Sequence, residues 1–102
     1  MTTLIQVPSF VANMLNRIPK HKRAISVMEW LKADGETVSE DDTVIVLHTV
    51  KAAVELAAQA SGLLFHLKDV NEKLKVGDVV GVVVDTVEEF QVYKKQNLTN
   101  VA

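Results

Sequence analysis

The sequence repeats itself at a spacing of 36 residues, and this repeat limits the fold more than any other feature. Charged residues overlay at three positions: Lys32 on Lys68, Glu36 on Glu72 and Asp42 on Asp78. Apolar residues also overlay: Val27 on Leu63, Met28 on Leu64, Leu31 on Leu67, Val38 on Leu74, Val44 on Val80 and Val46 on Val82. Gly35 falls on Asn71, and both residue types tolerate a positive φ. A repeated unit that cannot cover its own apolar face predicts two similar sheets packed face to face.

Short apolar runs between turn residues predict an all-β fold. The runs are Leu4–Val7, Ile25–Leu31, Thr37–Val38, Thr43–Leu47, Ala53–Ala57, Leu63–Leu67, Lys73–Leu74 and Val79–Val84. Many of their residues are β-branched, and such side chains pack well on a pleated surface. We therefore expect residues 1–84 to form an all-β sandwich or barrel, in which the two-fold repeat of a four-strand unit gives two similar sheets packed face to face. Residues 85–102 are expected to form a C-terminal tail, helical or extended, with Phe90 and Tyr93 packing back onto the strands.

A lysine stands in the short break between two of these runs. Lys51 follows Thr43–Leu47 and precedes Ala53–Ala57, and two strands joined by about two residues form a β-hairpin. The amine of Lys51 is then expected at the hairpin tip, in solvent. The repeat places it where one half passes to the other, and we expect it on the pseudo-symmetry axis. From the hairpin alone, an ordinary solvated turn lysine is the simplest interpretation.

Residues 9–23 form a segment of net positive charge in a chain that is otherwise acidic. Residues 1–28 contain four basic residues and no acidic one. The rest of the chain contains the other seven of the 11 basic residues and all 13 acidic residues. Apolar residues from Phe10 to Ile18 fall near helical spacing, which indicates one or two helical turns before Pro19. The segment from Lys20 to Arg23 is expected to be a solvated basic loop. It is too short and too poor in aromatic residues for a nucleic-acid site.

No arrangement of residues indicates a catalytic or metal centre. The chain contains no cysteine, and its serine, histidine and aspartate residues show no ordered triad motif. His21, His48 and His66 lack the spacing of metal ligands. No apolar run reaches the length needed to cross a bilayer, and we expect no secretory signal.

Six short motifs, in order, resemble the lipoyl domain (biotinyl/lipoyl carrier domain) of 2-oxoacid dehydrogenase complex acyltransferases. The similarity extends from about Leu4 to Val84. The motifs are Ile5-Gln6-Val7-Pro8, Val27-Met28-Glu29-Trp30-Leu31, Asp34-Gly35-Glu36-Thr37-Val38, Thr49-Val50-Lys51-Ala52, Ala60-Ser61-Gly62 and Val76-Gly77-Asp78. The resemblance implies a flattened barrel or sandwich of two four-stranded antiparallel sheets related by a pseudo-two-fold repeat, a barrel-sandwich hybrid, in agreement with the repeat and the strand pattern.

The resemblance implies that Lys51 carries lipoic acid in amide linkage, flanked by the turn residues Thr49, Val50 and Ala52. Such a domain has no catalytic centre of its own and shuttles acyl groups and electrons as part of a dihydrolipoamide acyltransferase or alone. The implied partners are a lipoate ligase or lipoyl transferase, a 2-oxoacid dehydrogenase and dihydrolipoamide dehydrogenase, with neither nucleic acid nor membrane. The domain is expected to be monomeric and cytoplasmic, or in the mitochondrial matrix of a eukaryote.

In the family, the loop after the first strand lies beside the modified lysine and helps to choose the partner. The resemblance therefore gives a recognition role to the four basic residues of the loop: Arg17, Lys20, Lys22 and Arg23.

The lysine turn departs from the usual lipoyl pattern, because His48 and Val50 replace two acidic residues. An aspartate can hold such a turn by accepting backbone N–H groups, and Val50 cannot. A biotin carrier is the near alternative, although its usual signature has methionine on both sides of the lysine, where this chain has Val50 and Ala52. A barrel of the same fold in which Lys51 stays unmodified is the other alternative.

Overall fold

A computed structural model describes the chain from residue 2 to residue 100, apart from the side chains of Tyr93 and of residues 96–100. The strands are β1 (Thr2–Gln6), β2 (Ile25–Trp30), β3 (Thr37–Val38), β4 (Thr43–Thr49), β5 (Ala53–Ala57), β6 (Gly62–His66), β7 (Lys73–Leu74) and β8 (Val79–Val84). Helix α1 (Phe10–Met14) and a 3₁₀ turn (Lys20–Lys22) lie between β1 and β2, and α2 (Val87–Asn100) follows β8. The tail is therefore helical over α2.

The eight strands form two four-stranded antiparallel sheets, in the orders β1-β8-β6-β3 and β5-β4-β2-β7. The all-β prediction is confirmed, including the number of sheets and strands. The sheets stay separate and do not close into a continuous barrel. Their facing sides bury the core, which includes Val27, Val44, Leu47, Leu64 and Val80, all with no exposed surface.

Each half of the repeat contributes two strands to each sheet. The repeat relates β1 to β5, β2 to β6, β3 to β7 and β4 to β8. When each strand of the first sheet is replaced by its counterpart, the strand order becomes that of the second sheet. The halves are thus interleaved, and neither forms a sheet by itself. This arrangement confirms the pseudo-two-fold repeat and makes the two halves depend on each other for folding.

The symmetry axis passes between Trp30 and His66, which occupy equivalent positions 36 residues apart. Their rings stack with centroids 3.8 Å apart and planes 11° from parallel. Trp30 Nε1 donates to the Lys68 carbonyl at 2.8 Å, and His66 Nε2 lies 2.8 Å from the Lys32 carbonyl, an equivalent pair of contacts. The expectation that Lys51 lies on this axis is wrong, because symmetry relates its hairpin to the end of β8 and the start of β1.

A β-bulge at Met28 shifts the repeat by one residue. Val27 pairs with Leu47 and Glu29 with Val46, so Met28 is the extra residue. The equivalent strand has no such shift, since Leu64 pairs with Val83 and Phe65 with Val82. Val27 therefore corresponds to Leu64, and Met28 is 42% exposed. The sequence overlay of Met28 on Leu64 and Val27 on Leu63 is wrong for this reason.

The turns repeat in detail. Glu36 accepts the N–H of Ala33 at 2.9 Å, and Glu72 accepts the N–H of Asp69 at 3.0 Å. Gly35 has φ = 85° and Asn71 has φ = 70°, so both take the left-handed conformation that the overlay predicts. The two halves therefore share their turn chemistry as well as their apolar pattern.

The segment between β1 and β2 closes one end of the core. Val11 on α1 is fully buried and Leu15 is 2% exposed, while Met14 and Ile18 pack against the same cluster. The prediction of a short helix before Pro19 is confirmed.

Helix α2 covers the outer face of the β1-β8-β6-β3 sheet. Phe90 packs on Phe65 with ring centroids 5.3 Å apart, beside Val82 and Val84. The prediction that Phe90 packs back onto the strands is confirmed, and the same prediction for Tyr93 falls outside the described side chains. Strand β8 is therefore buried on both faces, which accounts for its continuous valine run.

Candidate functional site

Lys51 lies in the two-residue tip of the hairpin formed by β4 and β5. His48 pairs with Ala53, and the Thr49 N–H donates to the Ala52 carbonyl at 3.1 Å, which leaves Val50 and Lys51 at the tip. Lys51 is exposed, and its side chain makes no ion pair or hydrogen bond to the described part of the chain. The predicted position of its amine in solvent is confirmed.

The hydroxyl of Thr49 holds this turn. Its Oγ1 accepts the N–H of Ala52 at 3.0 Å and that of Lys51 at 3.3 Å, and donates to the Ala52 carbonyl at 2.7 Å. Thr49 is 2% exposed and is the buried polar residue of the described core. One hydroxyl thus uses its donor and both acceptor sites on three backbone groups of the turn.

The hydrogen bonds of Thr49 explain how the turn keeps its geometry with valine at position 50. Neither Val50 nor Lys51 takes a positive φ, so the tip is not one of the glycine-rich hairpin turns. The threonine oxygen accepts the backbone N–H groups of Lys51 and Ala52, so the turn is held without an aspartate at position 50. Val50 is 56% exposed and Ala52 is exposed, so both flank the lysine without covering it.

Three pairings place other segments at the same end of the sandwich. Ile25, the first residue of β2, pairs with Thr49 and also with Leu74 at the end of β7. The turn after β7 is bonded to Val7, whose carbonyl accepts the N–H of Gly77 at 3.0 Å. This end of the sandwich contains the hairpin tip, the segment 8–24 and the turn 75–78, and we call it the lysine end.

The predicted recognition residues are of two kinds. Arg17, Lys20 and Lys22 are exposed, and the 3₁₀ turn that holds Lys20 and Lys22 leads directly into β2 at the lysine end. Arg23 is half-buried, and its guanidinium donates to the carbonyls of Ile18 and Asn16. Arg23 therefore fastens the loop, which leaves the three other side chains to face solvent.

Two further lysines join this end, and the sequence reasoning missed them. Lys73 pairs with Ser26, Lys75 follows Leu74, and both are exposed. They belong to the second half of the repeat, so their position depends on the strand exchange. The carboxylate at this turn is Asp78, which accepts the N–H of Lys75 at 2.8 Å.

Among residues 2–100, no group of three or more histidine, cysteine or acidic side chains is placed to bind a metal ion. No described helix is long and apolar enough to span a bilayer. The arrangement at the lysine end offers one exposed primary amine on a fixed turn. Such an amine can be acylated through an amide bond by a group that needs no further protein ligand.

A family model described as "Biotin-requiring enzyme", that of the biotin/lipoyl attachment family, matches residues 17–83. The chain is 34% identical over 71 residues to the dihydrolipoyllysine-residue succinyltransferase component of the 2-oxoglutarate dehydrogenase complex of Bacillus subtilis strain 168. That alignment covers 66% of this chain and 17% of the relative, so the chain spans about a sixth of that protein.

Two solved structures share the fold. The lipoyl domain of the 2-oxoglutarate dehydrogenase complex of Azotobacter vinelandii matches with a TM-score of 0.61 and 22% identity, over 81% of this chain and 98% of that domain. The urea carboxylase of Kluyveromyces lactis matches with a TM-score of 0.62 and 20% identity, over 82% of this chain and 6% of the carboxylase.

Proposed function

Because the chain belongs to the biotin/lipoyl attachment family, we propose that it is a lipoyl carrier domain with lipoic acid in amide linkage to Lys51. The observation that carries this proposal is the exposed amine of Lys51 on a turn closed by Thr49. The similarity to an acyltransferase component of a 2-oxoglutarate dehydrogenase complex supports lipoate. Val50 and Ala52, which stand where biotin carriers usually have methionine, also favour lipoate over biotin.

The chain's own contribution is to hold the attachment point still and accessible. Bound lipoic acid supplies a dithiolane that accepts acyl groups and electrons. The lysine methylenes are the first part of a long flexible arm. The hairpin fixes the backbone of Lys51, so the arm moves while its attachment point stays in place. A tethered group of this kind visits several active sites at high effective concentration.

We further propose that the partners are a lipoate ligase or lipoyl transferase, a 2-oxoacid dehydrogenase and dihydrolipoamide dehydrogenase. The domain would then act as part of a dihydrolipoamide acyltransferase, with no catalytic centre of its own. This proposal is supported by the family and by the Bacillus subtilis relative. Biotin is the second candidate, because the family includes biotin-dependent proteins and the urea carboxylase segment has the same fold.

Intact-mass spectrometry after co-expression tests the proposal. The chain is expressed once with a lipoate ligase and lipoate, and once with a biotin ligase and biotin. We expect one lipoyl adduct in the first case and unmodified protein in the second. The Lys51→Gln variant is expected to stay unmodified in both and to fold normally, since residue 51 contributes no packing. A biotin adduct, or an unmodified chain in both cases, would contradict the proposal.

A further inference from the structure

The charges of this molecule are separated between its two ends. The lysine end carries exposed Lys20, Lys22, Lys73 and Lys75 around Lys51, with Asp78 as the carboxylate of its turn. Although the chain has a net charge of −2, this end is strongly positive. The strand exchange produces this concentration, because it brings two lysines of the second half beside the basic segment of the first.

The opposite end is strongly negative. There the turn between β3 and β4 holds three acidic residues, and its Asp41 N–H donates to the carbonyl of Ala58, the residue after β5. Val84, the last residue of β8, pairs with Thr2 and Leu63 at the same end, and three further acidic residues follow it. The acidic residues of this end are Glu40, Asp41, Asp42, Asp85, Glu88 and Glu89.

A charge distribution of this kind orients a molecule in the field of its partner. Attraction at one end and repulsion at the other turn the positive end towards a negative surface and raise the association rate. Strand β4 runs between the two ends over seven residues, about 20 Å at the usual rise of a strand, which is more than twice the Debye length of about 8 Å at physiological salt. Partner charges therefore act on the near end with little opposition from the far end once the two proteins are close.

The chemistry of the lysine end favours a protein partner over a nucleic acid. Phe10 is the one phenylalanine, tyrosine or tryptophan in segments 8–24 and 68–78, and it lies beside Glu55 and Ala57 of β5, so the basic side chains lack the row of stacking residues of single-strand binding surfaces. The chain as a whole is acidic, with a pI of about 5.9, and a long polyanion would meet its negative end as well. A localised acidic patch on a protein meets the positive end alone.

We propose that the lysine end docks onto a carboxylate-rich protein surface around the active-site entrance of the enzyme that acylates the Lys51 arm. This inference rests on the proposed lipoyl function and adds the charge of the partner. Lys20, Lys22, Lys73 and Lys75 form the contact surface. Arg17 extends it along the loop, whereas Arg23 supports the loop from within. Val50 provides an apolar contact beside the arm.

Matched charge reversals test the proposal. The variant Lys20→Glu/Lys22→Glu changes the lysine end, and Lys94→Glu/Lys95→Glu changes exposed positions on α2, which starts at the opposite end. Both variants lower the net charge of the chain by four, from −3 to −7 in the Lys51→Gln background in which they are measured. The probe is the decarboxylating component of the Bacillus subtilis 2-oxoglutarate dehydrogenase complex, and Kd is measured at about 0.01 M and about 0.15 M salt.

We expect the lysine-end variant to bind about tenfold more weakly or worse at low salt, with a smaller difference at high salt, and the α2 variant to stay within about twofold of the wild type. Equal losses in both variants, no loss in either, no binding by the wild type, or tighter binding to a single-stranded oligonucleotide would overturn the proposal. All measurements use the Lys51→Gln background, so they do not require lipoylation. Failure of the carrier function appears separately, in the mass measurement.

Discussion

At the scale of single residues, the proposed attachment site depends on a threonine as much as on the lysine. The Lys51 side chain supplies the amine, but the backbone at the tip is positioned by the Thr49 hydroxyl, which contacts Lys51 N, Ala52 N and the Ala52 carbonyl. A buried hydroxyl with all its hydrogen bonds formed stabilises a single turn geometry. The turn therefore tolerates valine at position 50.

Replacing Thr49 tests this role. Thr49→Val keeps the shape of the side chain and leaves three backbone groups of the turn without their hydroxyl partner, which costs about 1–3 kcal/mol. Hydrogen exchange at the Ala52 amide is expected to speed up, and lipoylation to slow down. Thr49→Ser keeps the hydroxyl and serves as the control, with protection at Ala52 retained. Equal protection of Ala52 in the two variants would show that the hydroxyl does not hold the turn.

Glu72 gives the fold a dependence on pH. The backbone N–H of Asp69 donates to its carboxylate and lowers its pKa below the ordinary value of 4.5, and Lys68, 3.3 Å away, acts in the same direction. A lowered pKa stabilises the folded state above pH 4.5, and this stabilisation is lost as the pH falls through the folded value.

The Glu72→Gln variant isolates this contribution, because glutamine keeps the hydrogen-bond acceptor and removes the charge. We expect the wild type to unfold at higher urea concentration than the variant at pH 7, and the two midpoints to converge as the pH falls below 4.5 and through the lowered pKa of Glu72. The difference should be small, since the carboxylate is largely exposed. A difference that stays constant between pH 7 and pH 3 would contradict the role of the charge.

At the scale of elements, the bulge in β2 decides which residue of the pair Val27 and Met28 enters the core. Val27 has no exposed surface, whereas Met28 is 42% exposed. The Val27→Ala variant is expected to lose about 2–3 kcal/mol of unfolding free energy. The Met28→Ala variant should change it by about 0.5 kcal/mol or less. Urea denaturation measures both, and an equal or larger loss for Met28→Ala would show that the strand has no bulge.

The strands and turns could be predicted from the sequence, but the bulge could not. Turn residues such as Gly35, Asn71 and Asp78 act locally, so their pattern survives any tertiary arrangement. In β2, apolar residues stand at positions 25, 27, 28 and 30. Positions 25 and 27 follow one alternation of apolar and polar side chains, and positions 28 and 30 follow another that is shifted by one residue. Only the pairing of Val27 with Leu47 and of Glu29 with Val46 shows where the alternation changes.

At the scale of the whole molecule, the exchange of strands between halves places the site and its surroundings. The hairpin that carries Lys51 is a local feature, and its exposure follows from the sequence alone. The position of Lys73 and Lys75 at the same end of the molecule is not a local feature, because the sequence does not indicate which sheet β7 joins. The sequence also does not decide whether residues 85–102 are helical or extended. The position of α2 depends on the packing of Phe90 against Phe65, which the sequence does not show.

We propose that the amine of Lys51 carries the lipoyl group, and a tryptic digest tests this directly. Trypsin cleaves after lysine and arginine, and Lys51 is the one such residue between Lys32 and Lys68. We expect a tryptic digest of the chain loaded by lipoate ligase to yield a single uncleaved peptide, residues 33–68, bearing one lipoyl group at Lys51. Separate peptides 33–51 and 52–68 without an adduct, or a lipoyl group on any other lysine, would contradict the claim.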